Sequence, residues 1–85
     1  MTDFSRRSEQ VALLKRLTAR RPALRRILTL FVEGHPRKLV AVKLAISRHT
    51  VDWHLKRLYV DLGIGSANQL ILLCLDAGIG EQSPP

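Results

Sequence analysis

The stretch from Gly34 to Leu62 constrains the fold of this 85-residue chain more than any other segment. Its later half carries apolar residues at the spacing of one helical face: Val51, Leu55, Leu58 and Leu62. Ser47 stands before that stripe, where a serine side chain can cap the free amide groups of a helix. A shorter helix is expected over about residues 37–45. The segment therefore predicts two short helices that are joined by a tight polar turn.

The rest of the chain also shows helical spacing and no strand alternation of useful length. A helix is expected to start near Pro22, where the apolar residues are Leu24, Ile27, Leu28 and Phe31. Ser66 and Gln69 fit a capping box at the start of a last helix, which should end before Gly78. An earlier helix over about residues 8–18 also fits the pattern. We predict an all-α fold.

Glycines mark the ends of the expected helices: Gly34, Gly63 and Gly78. These ends divide the chain into three parts. We expect residues 1–21 to form a basic N-terminal extension that is partly helical, residues 22–79 a four-helix domain, and residues 80–85 a disordered tail. A chain of this length makes one domain with a small core, and such domains are often stabilised by oligomerisation.

Charge is distributed unevenly along the chain. There are 14 Lys or Arg and 7 Asp or Glu, a formal net charge of +7, and no basic residue follows Leu58. This pattern favours a polyanionic partner, with nucleic acid ahead of an anionic membrane. No apolar run approaches the ~20 residues of a membrane span. With Cys74 as the single cysteine, we expect a cytoplasmic protein that has neither a disulfide nor a membrane anchor.

The second helix of the pair carries the residues that would face DNA. With its apolar stripe turned inward, the outward side chains are Arg48, His49, Asp52, Trp53 and Lys56, with Arg57 and Val60 as further candidates. A helix-turn-helix places such a helix in the major groove, where Lys56 would donate to guanine. Arg48 and the hydroxyl of Thr50 suit phosphates. The alternative is a solvated basic face that binds nothing.

Two residues of this face leave alternatives open. Asp52 either accepts a hydrogen bond from cytosine N4 or forms an ion pair with Lys56, four residues later. Trp53 either contacts a thymine methyl group, a sugar or a partner protein, or it folds over Leu39 or Val42.

Catalytic and metal-binding patterns are not evident. His49 and His54 are five residues apart, which does not place them on one helical face, and Cys74 is remote in the sequence. No nucleophile with a base, glycine-rich phosphate loop or carboxylate pair occurs. We therefore predict no enzyme, no cofactor and no metal site.

The last helix contains six consecutive apolar residues, from Leu70 to Leu75. They cover its whole circumference, so one side can pack on the core while another meets a partner. We predict a homodimer through residues 67–77, which would place two DNA-binding helices about one DNA turn apart. The expected interface residues are Leu70, Leu73, Cys74 and Ala77. The alternative is that the N-terminal helix buries this helix on several sides.

The stretch from Pro22 to Ile79 resembles the LuxR/GerE-type DNA-binding domain of bacterial regulators. The residues that carry the resemblance are Ile27-Leu28, Glu33-Gly34, Lys38, Val40-Ala41, Leu44, Ile46-Ser47, Thr50-Val51, His54-Leu55, Tyr59, Leu62-Gly63 and Ser66. It implies a four-helix helix-turn-helix, with the helix of about residues 48–62 in the major groove of double-stranded DNA and the last helix dimerising. The chain would be a transcription regulator of bacterial or phage origin, either stand-alone or cut from a longer protein.

The resemblance also implies where DNA would be contacted. The family's groove-facing positions fall on Asp52, Trp53 and Lys56. Lys38, Thr50 and Ser66 match positions that the family uses near phosphate. With the charges of the helix itself, the expected backbone contacts are Lys38, Arg48, His49, Thr50, Arg57 and Ser66.

The sequence departs from the family's pattern at this surface. Asp52 stands where the family usually has Lys or Arg, and Gly65 replaces a basic residue before Ser66. Leucines stand in place of two acidic residues, at Leu24 and Leu39. Asp52, Gly65 and an exposed Trp53 support a second hypothesis, a degenerate member that pairs with a LuxR-type regulator through its last helix and inhibits it. A third is a nonspecific nucleic-acid coat that binds through the N-terminal arginines.

Overall fold

Five helices make up the fold in the computed structural model, which describes residues 3–80 and, for burial and side-chain contacts, residues 6–80. Helix α1 spans Asp3–Arg20, α2 Pro22–Val32, α3 Arg37–Leu44, α4 Arg48–Leu62 and α5 Ala67–Asp76. No strand occurs between residues 3 and 80, and the all-α prediction is confirmed. The first helix is longer than the predicted residues 8–18, because its packing on other helices offsets the repulsion among its basic side chains.

The helices α2 to α5 end in one shared hydrogen-bond pattern. After α3, for example, the Ile46 amide donates to the Ala41 carbonyl, five positions back, over 3.0 Å. This pattern places the residue between helix and loop in the left-handed conformation, which the three predicted glycines adopt: Gly34, Gly63 and Gly78. After α3 the corresponding residue is Ala45 instead of glycine, and it has the same left-handed conformation, with φ of 58°. A side chain at such an angle costs about 1–2 kcal/mol, so the turn between α3 and α4 is locally strained.

The beginnings of α4 and α5 are capped as the sequence predicts. The Ser47 hydroxyl accepts a hydrogen bond from the Thr50 amide over 3.0 Å. At α5, the Ser66 hydroxyl accepts from the Gln69 amide while the Gln69 side chain accepts from the Ser66 amide, which completes the capping box. Caps of this kind each stabilise a helix by about 1 kcal/mol, and here they fix where the two helices start.

Residues of all five helices, and one that follows α5, form the core. The buried apolar side chains are Leu14, Leu24, Ile27, Leu28, Val40, Ala41, Val51, Leu55, Leu58, Leu62, Leu70, Leu73, Cys74 and Ile79. The α4 stripe that was predicted to face inward is buried along its whole length. Each large side chain removed from water contributes about 1.5–3 kcal/mol. The burial of this stripe determines which face of α4 is left outside.

Helix α1 is an integral part of the packing and contacts α2, α4 and α5. Leu14 and Thr18 are buried, and the Gln10 side-chain amide donates to the Leu62 carbonyl at the end of α4 over 2.7 Å. Arg7 forms an ion pair with Asp76 at the end of α5, also over 2.7 Å. The basic segment therefore covers the side of α5 that would otherwise be open.

This packing corrects the predicted dimer interface. Leu70, Leu73 and Cys74 lie in the core of a single protomer, where a second copy cannot contact them, and Ala77 is partly buried. The physical reason is that α1 and α2 both pack on α5. The large apolar residues that α5 leaves exposed are Leu72 and Leu75.

Two remaining expectations concern the chain end and membranes. The predicted disordered tail lies outside the described residues except for Gly80, which lies in the turn after α5 and approaches Val32. Within residues 3–80, no single helix has the length and apolar character to cross a membrane. Helices α4 and α5 meet that criterion only as a pair, and the chain bends by 77° between them.

Candidate nucleic-acid interface

The exposed side of α4 is the first part of the candidate interface. Helices α3 and α4 pack together as a helix-turn-helix pair, and with the apolar stripe buried, the outward residues of α4 follow a helical repeat of four, three and four positions. They are His49, Trp53, Lys56 and Val60, and all four are exposed. This ridge has the dimensions of a helix that fits the major groove of B-DNA.

Trp53 projects from the middle of this ridge and is 53% exposed. Its indole meets the His54 ring edge to face, with the ring centres 5.1 Å apart and an angle of 80° between the planes. Val42, over which the indole was alternatively expected to fold, is 68% exposed, which does not fit a tryptophan covering it. About half of the Trp53 surface is therefore available for an external contact.

Asp52 does not pair with the residue that the sequence suggested. Its carboxylate accepts from the Arg37 guanidinium at the start of α3 over 3.1 Å. A second, looser ion pair joins it to Arg48, four residues earlier, at 3.9 Å. Among the described residues it forms no ion pair with Lys56. Asp52 thus holds two arginines from different helices beside the start of α4, in place of the pair with Lys56 that was one of its two expected roles.

The other basic residues of the site differ in whether they form ion pairs. Lys38 and Lys56 are exposed, and within the described part of the chain neither forms an ion pair. Arg57 pairs with Asp61 over 3.5 Å, one turn along α4. Helices α3 and α4 together carry six Lys or Arg side chains and only two carboxylates. The excess of positive charge favours an anionic ligand such as DNA phosphate.

Two hydroxyl groups that were expected near phosphate have partners already. Thr50 shares a hydrogen bond of 3.0 Å with Ser47, and Ser66 takes part in the capping box. Both side chains are exposed. Each lies in the first turn of a helix or at its cap, where free amide groups favour anions. Their position is compatible with a phosphate, but each hydroxyl would have to share its existing hydrogen bond.

The buried environment of the His54 ring was not predicted from the sequence. Its Nδ1 atom is buried without a hydrogen-bond partner. Burial lowers the pKa of the imidazole below 6.5, and the positive charge of Arg21 lowers it further. A neutral imidazole is therefore favoured beneath Trp53. No local pattern in the sequence could predict this environment, because Arg21 lies 33 positions earlier and only the packing of the helices brings it near.

The described residues contain no group of three or more His, Cys, Asp or Glu that could hold a metal ion. Cys74 is buried, and the loss of hydration raises the pKa of its thiol to about 12. A thiol that stays protonated is a poor nucleophile and a poor metal ligand. It acts as a core residue in this fold.

Comparison with known proteins gives one match. A family model described as "Bacterial regulatory proteins, luxR family" matches residues 15–74, from the second half of α1 to Cys74 in α5. No curated protein and no solved structure matches the chain. The match covers the helix-turn-helix pair and more than half of the chain.

Proposed function

The chain belongs to the luxR family of bacterial regulatory proteins, whose helix-turn-helix domain binds DNA to regulate transcription, and we propose that it reads double-stranded DNA through α4. The observation that carries this proposal is the exposed ridge of α4, with Trp53 and Lys56 at its centre. The Ser47 cap and the buried stripe hold that ridge in place. A rigid helix of this kind can reach base edges in the major groove.

We propose base contacts by Lys56 and Trp53. The Lys56 ammonium group suits guanine O6 and N7, and the indole of Trp53 suits a thymine methyl group. Asp52, the third predicted base contact, has a different proposed role. Since its carboxylate already holds Arg37 and Arg48, it would position both guanidinium groups toward phosphates beside the start of α4.

The proposed backbone contacts lie around the ridge: Lys38, Arg48, His49, Thr50, Arg57 and Ser66. Phosphate contacts of this kind orient a protein on DNA without selecting a sequence. Arg37 joins them because Asp52 brings it to the same place. Each neutralised phosphate would add to the salt dependence of binding. We also propose that the protein acts in the bacterial cytoplasm, whether it is encoded by a bacterium or by a phage.

A homodimer through α5 is part of the proposal, with a revised interface. Leu72 and Leu75 are 51% and 45% exposed, three positions apart on one side of α5. A two-fold contact through these leucines would bury both and bring two copies of α4 to one DNA site. Leu72→Glu should keep the helical fold and shift the protein toward monomers in sedimentation experiments.

The proposal is tested on a DNA site selected from a random duplex library. Lys56→Ala and Trp53→Ala should each weaken binding to the selected site by about 1–3 kcal/mol, with little change on unrelated duplexes, because base contacts carry specificity. Fluorescence anisotropy on both duplexes at one salt concentration measures this difference.

Lys15→Ala removes an equal charge from the exposed side of α1 and serves as the control. This variant should reduce the affinity for both duplexes slightly and equally. If Lys56→Ala behaves as Lys15→Ala does, α4 does not read bases and the proposal is wrong.

A second candidate function is an inhibitor that captures a LuxR-type regulator. The observation in its favour is the set of ion pairs on the reading face, which neutralise part of its charge: Arg37 and Arg48 with Asp52, and Arg57 with Asp61. The same selection experiment separates the candidates. Failure to select any duplex, together with heterodimer formation that Leu72→Glu prevents, would favour the inhibitor.

A further inference from the structure

An open groove runs between α2 and the end of α3, and the proposed DNA contacts do not use it. Its volume is about 610 Å³, within the range of sites that bind organic ligands or peptide side chains. Three apolar residues line it: Pro22, Leu30 and Leu44. Three cations border the same space: Arg25, Arg26 and Lys43. The groove therefore combines apolar lining with positive charge.

The positive charge of the groove is uncompensated. Helices α2 and α3 contain no acidic residue, and Arg25, Arg26 and Lys43 form no ion pair within the described part of the chain. All three side chains are exposed. Three like charges around one depression repel one another, so an anionic occupant is favoured.

The apolar lining distinguishes this occupant from DNA phosphate alone. Leu30 and Leu44 are partly buried, and a phosphodiester would leave them without an apolar partner. The Thr29 hydroxyl, also in the groove, already donates to the Arg25 carbonyl over 2.9 Å, so it has no free proton to offer. The site thus favours a ligand that brings both hydrocarbon and carboxylates.

We propose that this groove binds an acidic amphipathic helix of a partner protein. Leucine-type side chains of that helix would pack on Leu30, Leu44 and Pro22, and glutamates beside them would pair with the three cations. The groove extends along α2 from Pro22 to Leu30, nine residues with a rise of about 12 Å, which matches about two turns of a bound helix. This site is separate from the exposed ridge of α4 and does not depend on the DNA proposal.

The probe for this proposal is a labelled synthetic helix of roughly 18 residues, long enough to be partly helical, with leucine at positions i, i+3, i+4 and i+7 and glutamate on both flanks. Fluorescence anisotropy should give a micromolar dissociation constant with the full chain. Arg25→Glu and Lys43→Glu should each raise that constant at least tenfold. Arg16→Glu makes the same change on the exposed side of α1 and should alter it less than twofold.

Leu44→Gln tests the apolar half of the groove and should also weaken the peptide, and circular dichroism verifies that each variant is folded. Equal effects of Arg25→Glu and Arg16→Glu would mean that only net charge attracts the peptide, which overturns the proposal. The proposal would also be overturned if a peptide with lysine in place of glutamate bound as tightly as the acidic peptide. Duplex DNA is also tested as a competitor of the peptide. If DNA displaces the peptide, and Arg25→Glu weakens the binding of DNA and of peptide equally, the groove belongs to the DNA-binding surface and the proposal is wrong.

Discussion

Single residues decide how the outward face of α4 is charged. Asp52 reverses the charge that the family usually has at its position, yet its carboxylate holds Arg37 and Arg48 in place. His54 lies beside the same face, and burial and the charge of Arg21 lower the pKa of its imidazole. Both effects come from neighbours on other helices, so the face cannot be understood from α4 alone.

The buried imidazole of His54 predicts a pH dependence of stability. Its pKa is lower in the folded state than the ordinary 6.5 of the unfolded chain, so the unfolded state binds more protons as the pH falls below about 6.5. Stability should be complete above that pH and decrease toward pH 5. Urea unfolding between pH 5 and 7.5 measures this, and His54→Leu should flatten the curve.

His49→Leu is the matched control for this prediction. His49 is exposed on the same helix, and its replacement should leave the pH dependence as in the natural chain. If His54→Leu and the natural chain lose stability in parallel as the pH falls, another group is responsible.

At the scale of elements, the turn between α3 and α4 sets the geometry of the helix pair. Ala45 takes the left-handed conformation that glycine occupies at the ends of α2, α4 and α5. The Ser47 cap then starts α4 only three residues after α3 ends. A strained residue and a strong cap thus lie within one short turn.

Ala45→Gly should stabilise the protein by about 0.5–1 kcal/mol. Relief of the left-handed strain, about 1–2 kcal/mol, outweighs the entropy that glycine loses on folding. Ala12→Gly in the exposed middle of α1 makes the same chemical change in a normal helical conformation and should destabilise by a similar amount. Thermal unfolding of both variants provides the test, and a lower melting temperature for Ala45→Gly would contradict it.

At the scale of the whole molecule, α1 is part of the core. It contributes the fully buried Leu14, and Arg7 and Gln10 attach it to the ends of α5 and α4. The family match begins at residue 15, within this helix. The basic segment therefore stabilises the fold in addition to carrying positive charge.

Leu14→Ala should reduce the free energy of unfolding by about 2–5 kcal/mol, because it leaves a cavity beneath α1. Leu39→Ala makes the same truncation at a position that is 38% exposed, and it should cost less than about 1 kcal/mol. Denaturant unfolding compares the two. Similar losses for both variants would show that α1 is not tightly packed on the rest of the protein.

Features that depend on local spacing could be predicted from the amino-acid sequence alone. The stripe from Val51 to Leu62, the caps at Ser47 and Ser66 and the three glycine helix ends each need only a few neighbouring residues, so the helices and the outward ridge of α4 were predictable. The family resemblance rested on the same local pattern.

Which helix each buried face packs against could not be predicted from local spacing and follows from the packing of the whole chain. Six consecutive apolar residues in α5 do not indicate which ones face a partner, and the docking of α1 placed Leu70, Leu73 and Cys74 in the core. Likewise, the charge of Asp52 did not identify its partner, since Arg37 lies 15 positions away and is brought near only by the crossing of α3 and α4. Contacts between distant segments depend on the packing of whole helices, which local spacing does not specify.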